Sequence, residues 1–422
     1  MLIESFQFSD WQVTKRYPTS WNDSAVSQNN LVATLISNQR VSFADRLYNL
    51  FQNGNFSQFG NEAWITSTTQ NADSLESLHD VIHSLTGSNG HMTYLDYAAF
   101  DPIFFLHHVM IDRAFAMYQV IHGGSNNYVQ GMNAVGSTYT YPAGTYRDVN
   151  SPLEPFYNSA GQSYTSANVQ NTTQFGYNYP ETSGSYTAGT VTSAIKNLYG
   201  GSAGTSTVSS KRSVIDDVAA AAGEQQAATG NANSYQWGCN IVSQKFQMNG
   251  TYAVYIFLGE PSDNPMDWAA DTNVAGIHAV FSNFPGDDNA MSSMDLKVTG
   301  SIPLTTTLVA KVASGDVASL KPSDVEPYLT KNLNWRVQML DGTVVNNAYV
   351  PDLSVTVVGA EVTPAASDDV FPTWGNINSY SNITINKTGG HSEQYWSSSS
   401  WSSSTSSSWT IGQSINYGVG GS

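Results

Sequence analysis

The spacing of hydrophobic and polar positions along this chain changes from helical, through irregular, to strand-like. Between residues 30 and 52 the apolar positions Leu31, Leu35, Ile36, Phe43, Leu47, Leu50 and Phe51 recur at helical spacing, and Gly54 is a natural stop. From 74 to 85, Leu75, Leu78, Ile82 and Leu85 form a stripe on one helix face, with Ser74 placed to cap and Gly87 to terminate. Asp101-Pro102 then supplies a cap and a first-turn proline, and IFFLHHVMIDRAFAMYQVIH runs apolar on most sides until Gly123-Gly124. Such a pattern predicts a buried helix.

From about 123 to 200 the chain is rich in Gly, Ser, Asn, Thr and Tyr with weak periodicity, which predicts long loops packed around a helical core. Residues 200–233 carry small and polar side chains and read as a linker, with an exposed dibasic pair at Lys211-Arg212. Strand signals follow in SYQWGCNIVSQKFQM, TYAVYIFLGE, AGIHAVFSNF, NWRVQMLDG and DLSVTVVGAEV, separated by turn residues. Together they predict an all-β domain, most simply a sandwich, over 234–365. Residues 366–422 are expected to be a Ser-rich tail of low complexity. The fold class is therefore α+β and multidomain: a helical unit over 1–199, a linker, a β sandwich and a tail.

Composition narrows the function. Sixteen basic against thirty-three acidic residues give a formal charge of -17, which repels phosphate backbones and anionic lipids, so neither nucleic acid nor a membrane surface is an expected partner. The single cysteine, Cys239, forms no internal disulfide. Six N-x-S/T triplets, at Asn22, Asn55, Asn171, Asn249, Asn382 and Asn386, are potential glycosylation acceptors, yet MLIESFQFSDW has no leader pattern and no stretch is apolar enough to span a bilayer. These features leave the compartment open and favour the cytoplasm over secretion.

The eight histidines are His79, His83, His91, His107, His108, His122, His278 and His391. His79 and His83 stand four apart on a predicted helix, so both imidazoles share a face and can chelate one ion. An antiparallel second helix bearing His107 and His108 can bring a third. Three neutral imidazoles suit copper, zinc, iron or nickel alike. Zinc proteases of the H-E-x-x-H kind are disfavoured, because Asp80 stands where they need Glu. His91 is expected to be a loop hydrogen-bonding residue, His278 a strand histidine, His391 part of the tail, and His122 an imidazolium on a helix C-terminus.

The string HDVIH, followed by GHMTYLDYAAFDPIFFLHHVMIDR, closely resembles the second copper motif of tyrosinases, catechol oxidases and haemocyanins, fungal tyrosinases above all. That resemblance implies copper, with His79, His83 and His108 as its ligands and His107 as their neighbour. It also implies that Phe104 packs a ring beneath the site. Asp112 is implied as a second-sphere acceptor or the partner of an arginine, and Asp80 and Ser84 as residues beside the ligands that tune phenol deprotonation, Asp80 as a base or water holder. NTTQFGYNYPE resembles the motif whose tyrosines, here Tyr177 and Tyr179, pack the copper domain shut. The strand-rich region resembles the β-sandwich lid of fungal proenzymes; if such a lid plugs the copper pocket here, cleavage of the linker near Lys211-Arg212 is expected to open it.

Phenol oxidation in that family uses two coppers, each giving an electron to O2. Residues 1–78 contain neither histidine nor cysteine, so one copper ion is expected here and the first copper motif is absent. FQFSDWQVTKRYPTS resembles family sequence lying between the two motifs, so an incomplete chain is the expectation. The implied function is oxidation of mono- and diphenols to o-quinones in melanin-type pigment synthesis, with phenolic small molecules and O2 as partners and a homo-oligomer possible. The alternative is a single-copper protein without oxidase activity.

Overall fold

The computed structural model describes residues 8, 10–64, 67, 70–123, 127–134, 140–142, 144–200, 234–248, 250–282 and 296–396. The expected linker, apart from Gly200, and the tail beyond 396 lie outside the described residues, as does the Lys211-Arg212 pair.

Helices α1 (Asn29–Asn38) and α2 (Arg40–Leu50) replace the single helix expected over 30–52. The break falls at Gln39, a buried residue whose side-chain amide donates to the Ala269 carbonyl at 3.4 Å, so the chain turns where it is pinned to another element. Helix α3 (Leu75–Gly87) begins as expected, Ser74 Oγ accepting from the Ser77 N–H at 3.0 Å. Helix α4 (Ile103–Ile121) follows Asp101, whose carboxylate accepts from the Ile103 N–H at 3.1 Å and from Arg16. The region expected to be loop contains two short hairpins, pairing 132–133 with 146–147 and 152–157 with 163–165, and a helix, α5 (Ala188–Tyr199).

These helices close on Leu47, Leu50 and Phe51 of α2, Leu75 and Leu78 of α3, Ala114, Met117 and Tyr118 of α4, and Val191 and Ile195 of α5. The expectation that α4 is a buried helix is corrected for its first half. Its far half enters this core, whereas Phe105, Leu106 and Val109 are 59%, 73% and 54% exposed. No described element covers that face.

The β domain contains strands β1 (Ser234–Gln244), β2 (Tyr252–Leu258), β3 (Val274–Val280), β4 (Lys297–Pro303), β5 (Leu333–Met339), β6 (Val344–Val345) and β7 (Ser354–Thr363), with β8 (Thr373–Trp374) and β9 (Asn378–Ser379) beyond. One sheet runs β6-β5-β2-β3; the other runs β8-β7-β1-β4, with β9 also on β7. Every pairing is antiparallel, and the two sheets enclose Cys239, Ile241, Val254, Ile256, Ile302, Trp335, Val337, Val355 and Val357. The sandwich is as expected, but it is not all-β: helices α6 (Thr305–Ala313) and α7 (Pro322–Asn332) pack against it.

The tail expected from 366 is corrected for its described part. Residues 373–379 pair with β7, His391 Nδ1 meets Thr356 Oγ1 at 2.9 Å, and buried Trp396 donates to Ser354 Oγ at 3.1 Å. Among the described residues, no helix is long and apolar enough to cross a membrane.

A third cluster joins the two units. Leu35, Val81 and Leu85 of the helical unit bury against Tyr255, Phe257, Trp268, Ile277 and Ala279 of the β domain. Buried Arg46 on α2 reinforces the joint, pairing with Asp73 at 2.6 Å and donating to Ser77 Oγ and to the Ile277 carbonyl. Thus α3, which carries two of the expected ligands, lies directly on β3.

Candidate metal centre

Helices α3 and α4 bring His79, His83, His107 and His108 together. Their spacing explains it: four residues on α3 put His79 and His83 on one face, with ring centroids 4.5 Å apart. His83 Nε2 lies 3.0 Å from His79 Nε2, and His79 Nε2 lies 3.2 Å from His108 Nε2.

The other ring nitrogens fix the tautomers. His83 Nδ1 meets the Met92 carbonyl at 2.8 Å and His108 Nδ1 meets the Phe104 carbonyl at 2.8 Å, so both nitrogens must carry the proton. His79 Nδ1 donates in the same way to Asp80 Oδ1 at 2.8 Å. The Nε2 lone pair of His79 therefore faces those of His83 and His108 without a proton between them. Such a grouping is repulsive by itself and attractive around a cation. Two nitrogens each about 2.0–2.1 Å from one ion at a tetrahedral angle lie about 3.3 Å apart, close to the observed separations.

Burial also keeps the rings neutral. It pulls the imidazolium pKa of His79 down to about 4 and that of His83 down to about 3; His107 falls to about 2, and His108 is lowered too. Neutral imidazoles with aligned lone pairs are what a soft or borderline cation binds.

His107 competes with His108 for the third place, since the ligand nitrogens of His79, His83 and His107 lie within 4.8 Å of one another. Its ring stacks on His79 at 4.8 Å and 21°, however, so their in-plane lone pairs run in nearly parallel planes instead of meeting. The Nε2 of His107 is buried without a partner. His108 has the better aim.

Phe104 stands with its ring 3.9 Å from that of His108, as the resemblance implied. Two other expectations are corrected. Asp80 is 1% exposed, which shuts it away from a water or a substrate proton, and each oxygen has a protein partner: Oδ1 holds His79, and Oδ2 accepts the Phe281 N–H at 3.0 Å. It positions a ligand. Asp112 touches neither the imidazoles nor an arginine; its Oδ2 accepts from Tyr177 at 2.8 Å and Tyr179 at 2.5 Å, while Arg113 pairs with Glu181. Both tyrosine hydroxyls tie the 177–179 segment to α4 through Asp112. Ser84 is buried on α3 one residue beyond His83.

The remaining histidines serve elsewhere. His91 Nδ1 accepts from the Lys15 N–H as a loop residue should, and His278 on β3 meets Ser77 Oγ. His122 is not the imidazolium expected: burial lowers its pKa, and Nε2 donates to the Phe51 carbonyl at 2.7 Å.

Sequence reasoning missed Phe281, at the end of β3. Its ring stacks on His83 at 4.2 Å and 20°. Nothing local signals this contact, because it joins residues almost two hundred positions apart through the docking of the domains. Lys245 was missed for the same reason: it reaches from the β domain to the buried Glu62 carboxylate.

Helix pairing and imidazole geometry define a three-histidine metal centre capped by a β sandwich. The common central domain of tyrosinase matches residues 4–121, and the tyrosinase C-terminal domain matches residues 236–357. A tyrosinase of Neurospora crassa is 27% identical over 454 residues, covering 85% of this chain and 66% of that protein. Polyphenol oxidase 2 of Agaricus bisporus is 28% identical over 345 residues, covering 78% and 58%. Among solved structures, mushroom tyrosinase in its latent and active forms superposes with a TM-score of 0.68 at 22% identity, covering 89% of this chain and 66% of that one. Such a likeness shows the fold.

The chain belongs to the tyrosinase family, whose metal is copper. It spans about two thirds or less of the length of these relatives.

Proposed function

We propose that this chain carries one copper-binding half of a tyrosinase-type centre, in which mono- and diphenols are oxidised by O2 to o-quinones that feed melanin-type pigment. One observation supports this above all: the unprotonated Nε2 atoms of His83 and His108 both approach that of His79 while the Nδ1 of each of the three rings is tied to an acceptor. His79, His83 and His108 would hold the ion. Copper, when bound, supplies the electron exchange with O2. Asp80 orients His79, the Met92 and Phe104 carbonyls orient the other two rings, and Phe104 offers an aromatic wall on which a phenol ring can lie.

The reaction draws one electron from each of two coppers. Among the described residues only the histidines of α3 and α4 are grouped as ligands, so the second trio belongs to polypeptide beyond them. Phe281 lies over His83, so the β domain also covers the site, and a phenol would reach that imidazole only after the domain shifts.

Oxygen uptake by the copper-loaded chain with a catechol-type diphenol tests the reading. The chain alone should form no quinone, and fusing it to a three-histidine segment taken from a relative should restore turnover that His83→Ala abolishes. Failure of the fusion to oxidise the diphenol, with copper bound to this half, would favour the alternative of a single-copper protein without oxidase activity.

A further inference from the structure

The carboxylate of Asp80 bridges two domains. Oδ1 takes the Nδ1 proton of His79 on α3, at 2.8 Å, and Oδ2 takes the backbone N–H of Phe281 in the β domain, at 3.0 Å. That N–H is available because the β2–β3 ladder ends one residue earlier, at Val280 opposite Tyr252. The same residue lays its ring on His83. One β-domain position therefore touches the carboxylate that holds His79 and the ring of His83, and Asp80, His83 and Phe281 are all buried and screened little by water.

From this geometry we infer that metal occupancy of the His79–His83–His108 site and docking of the β domain are coupled through Asp80 and Phe281. It rests on the reading of these imidazoles as a metal site. A cation on Nε2 of His79 withdraws electron density from the ring and strengthens its Nδ1–H as a donor. Asp80 is then held more firmly and offers Phe281 a better-fixed acceptor. In the reverse direction, lifting Phe281 off frees one side of Asp80 and removes the ring that backs His83, so the imidazoles lose part of their preorganisation. Linkage requires the two effects to be equal in size. Asp80 is thus a positioning residue: the β domain is wired into the ligand sphere besides covering it.

The test uses the full chain labelled with 15N-phenylalanine, the Phe281 amide being assigned by Phe281→Leu, and zinc as a diamagnetic occupant. Zinc should slow hydrogen exchange of the Phe281 amide at least about fivefold, the lower end of ordinary coupling between sites, and leave Phe257 on β2 unchanged. Asp80→Asn can satisfy only one of its two donors, so in that variant the zinc-dependent protection should disappear and zinc affinity should fall several-fold. A purely structural bridge would protect Phe281 equally with and without zinc. Zinc bound at His79, His83 and His108 with an unchanged Phe281 amide overturns the coupling; zinc not bound at all overturns the metal-site reading beneath it.

Discussion

Individual buried side chains fix the pH range in which this molecule is stable. His278 is fully buried on β3, beneath Gly300, where a Cβ would sit 2.3 Å from the imidazole Nδ1. Only glycine fits there. Burial, with Arg46 nearby, pulls the pKa of His278 down to about 3. In the unfolded chain it returns to roughly 6.5, so between those values the unfolded state holds the extra proton. The sign follows: stability is complete above about pH 6.5 and is lost as the pH falls toward 3, by at most about 1.4 kcal/mol per unit for this one group. Urea unfolding of the metal-free protein at pH 6.5 and 5 should show that loss, and His278→Asn should lessen it. Equal pH dependence in both proteins would show that His278 is protonated in the fold.

Among the elements, the sequence spoke clearly where a helix carries its own signals. Ser74 and Gly87 bracket α3, Asp101 opens α4, and the i, i+4 histidines foretell the geometry of their pair. Helix α5 escaped notice because its Thr, Ser and Gly content reads as loop, although Val191 and Ile195 stand at helical spacing and Thr187 and Thr190 cap each other. Strand β4 was hidden by Lys297 and Gly300, one covered by Tyr395 and the other required by His278. What no local pattern encodes is the joint between units. Phe281 on His83, the Asp80 bridge and the Arg46 cluster all join residues about two hundred positions apart. Arg46→Ala tests that joint, since it strands the Asp73 carboxylate in the interior and should cost about 3–5 kcal/mol by urea denaturation. A loss below about 1 kcal/mol would mean that water already reaches the pair.

At the largest scale, the described residues form a three-histidine site held between a small helical unit and a β sandwich, with one apolar flank that no described residue covers. Phe105, Leu106 and Val109 extend along the outer face of α4 beside His108, although the chain around them is apolar enough for a buried helix. The sequence showed the apolarity; only the fold shows which flank the described residues leave uncovered. The claim beneath it all concerns which imidazoles meet, and copper stoichiometry by equilibrium dialysis tests it most directly. One copper per chain is expected, lost in His83→Ala and His108→Ala but retained in His107→Ala. Retention in His108→Ala with loss in His107→Ala, or no copper bound by the parent chain, would contradict the account.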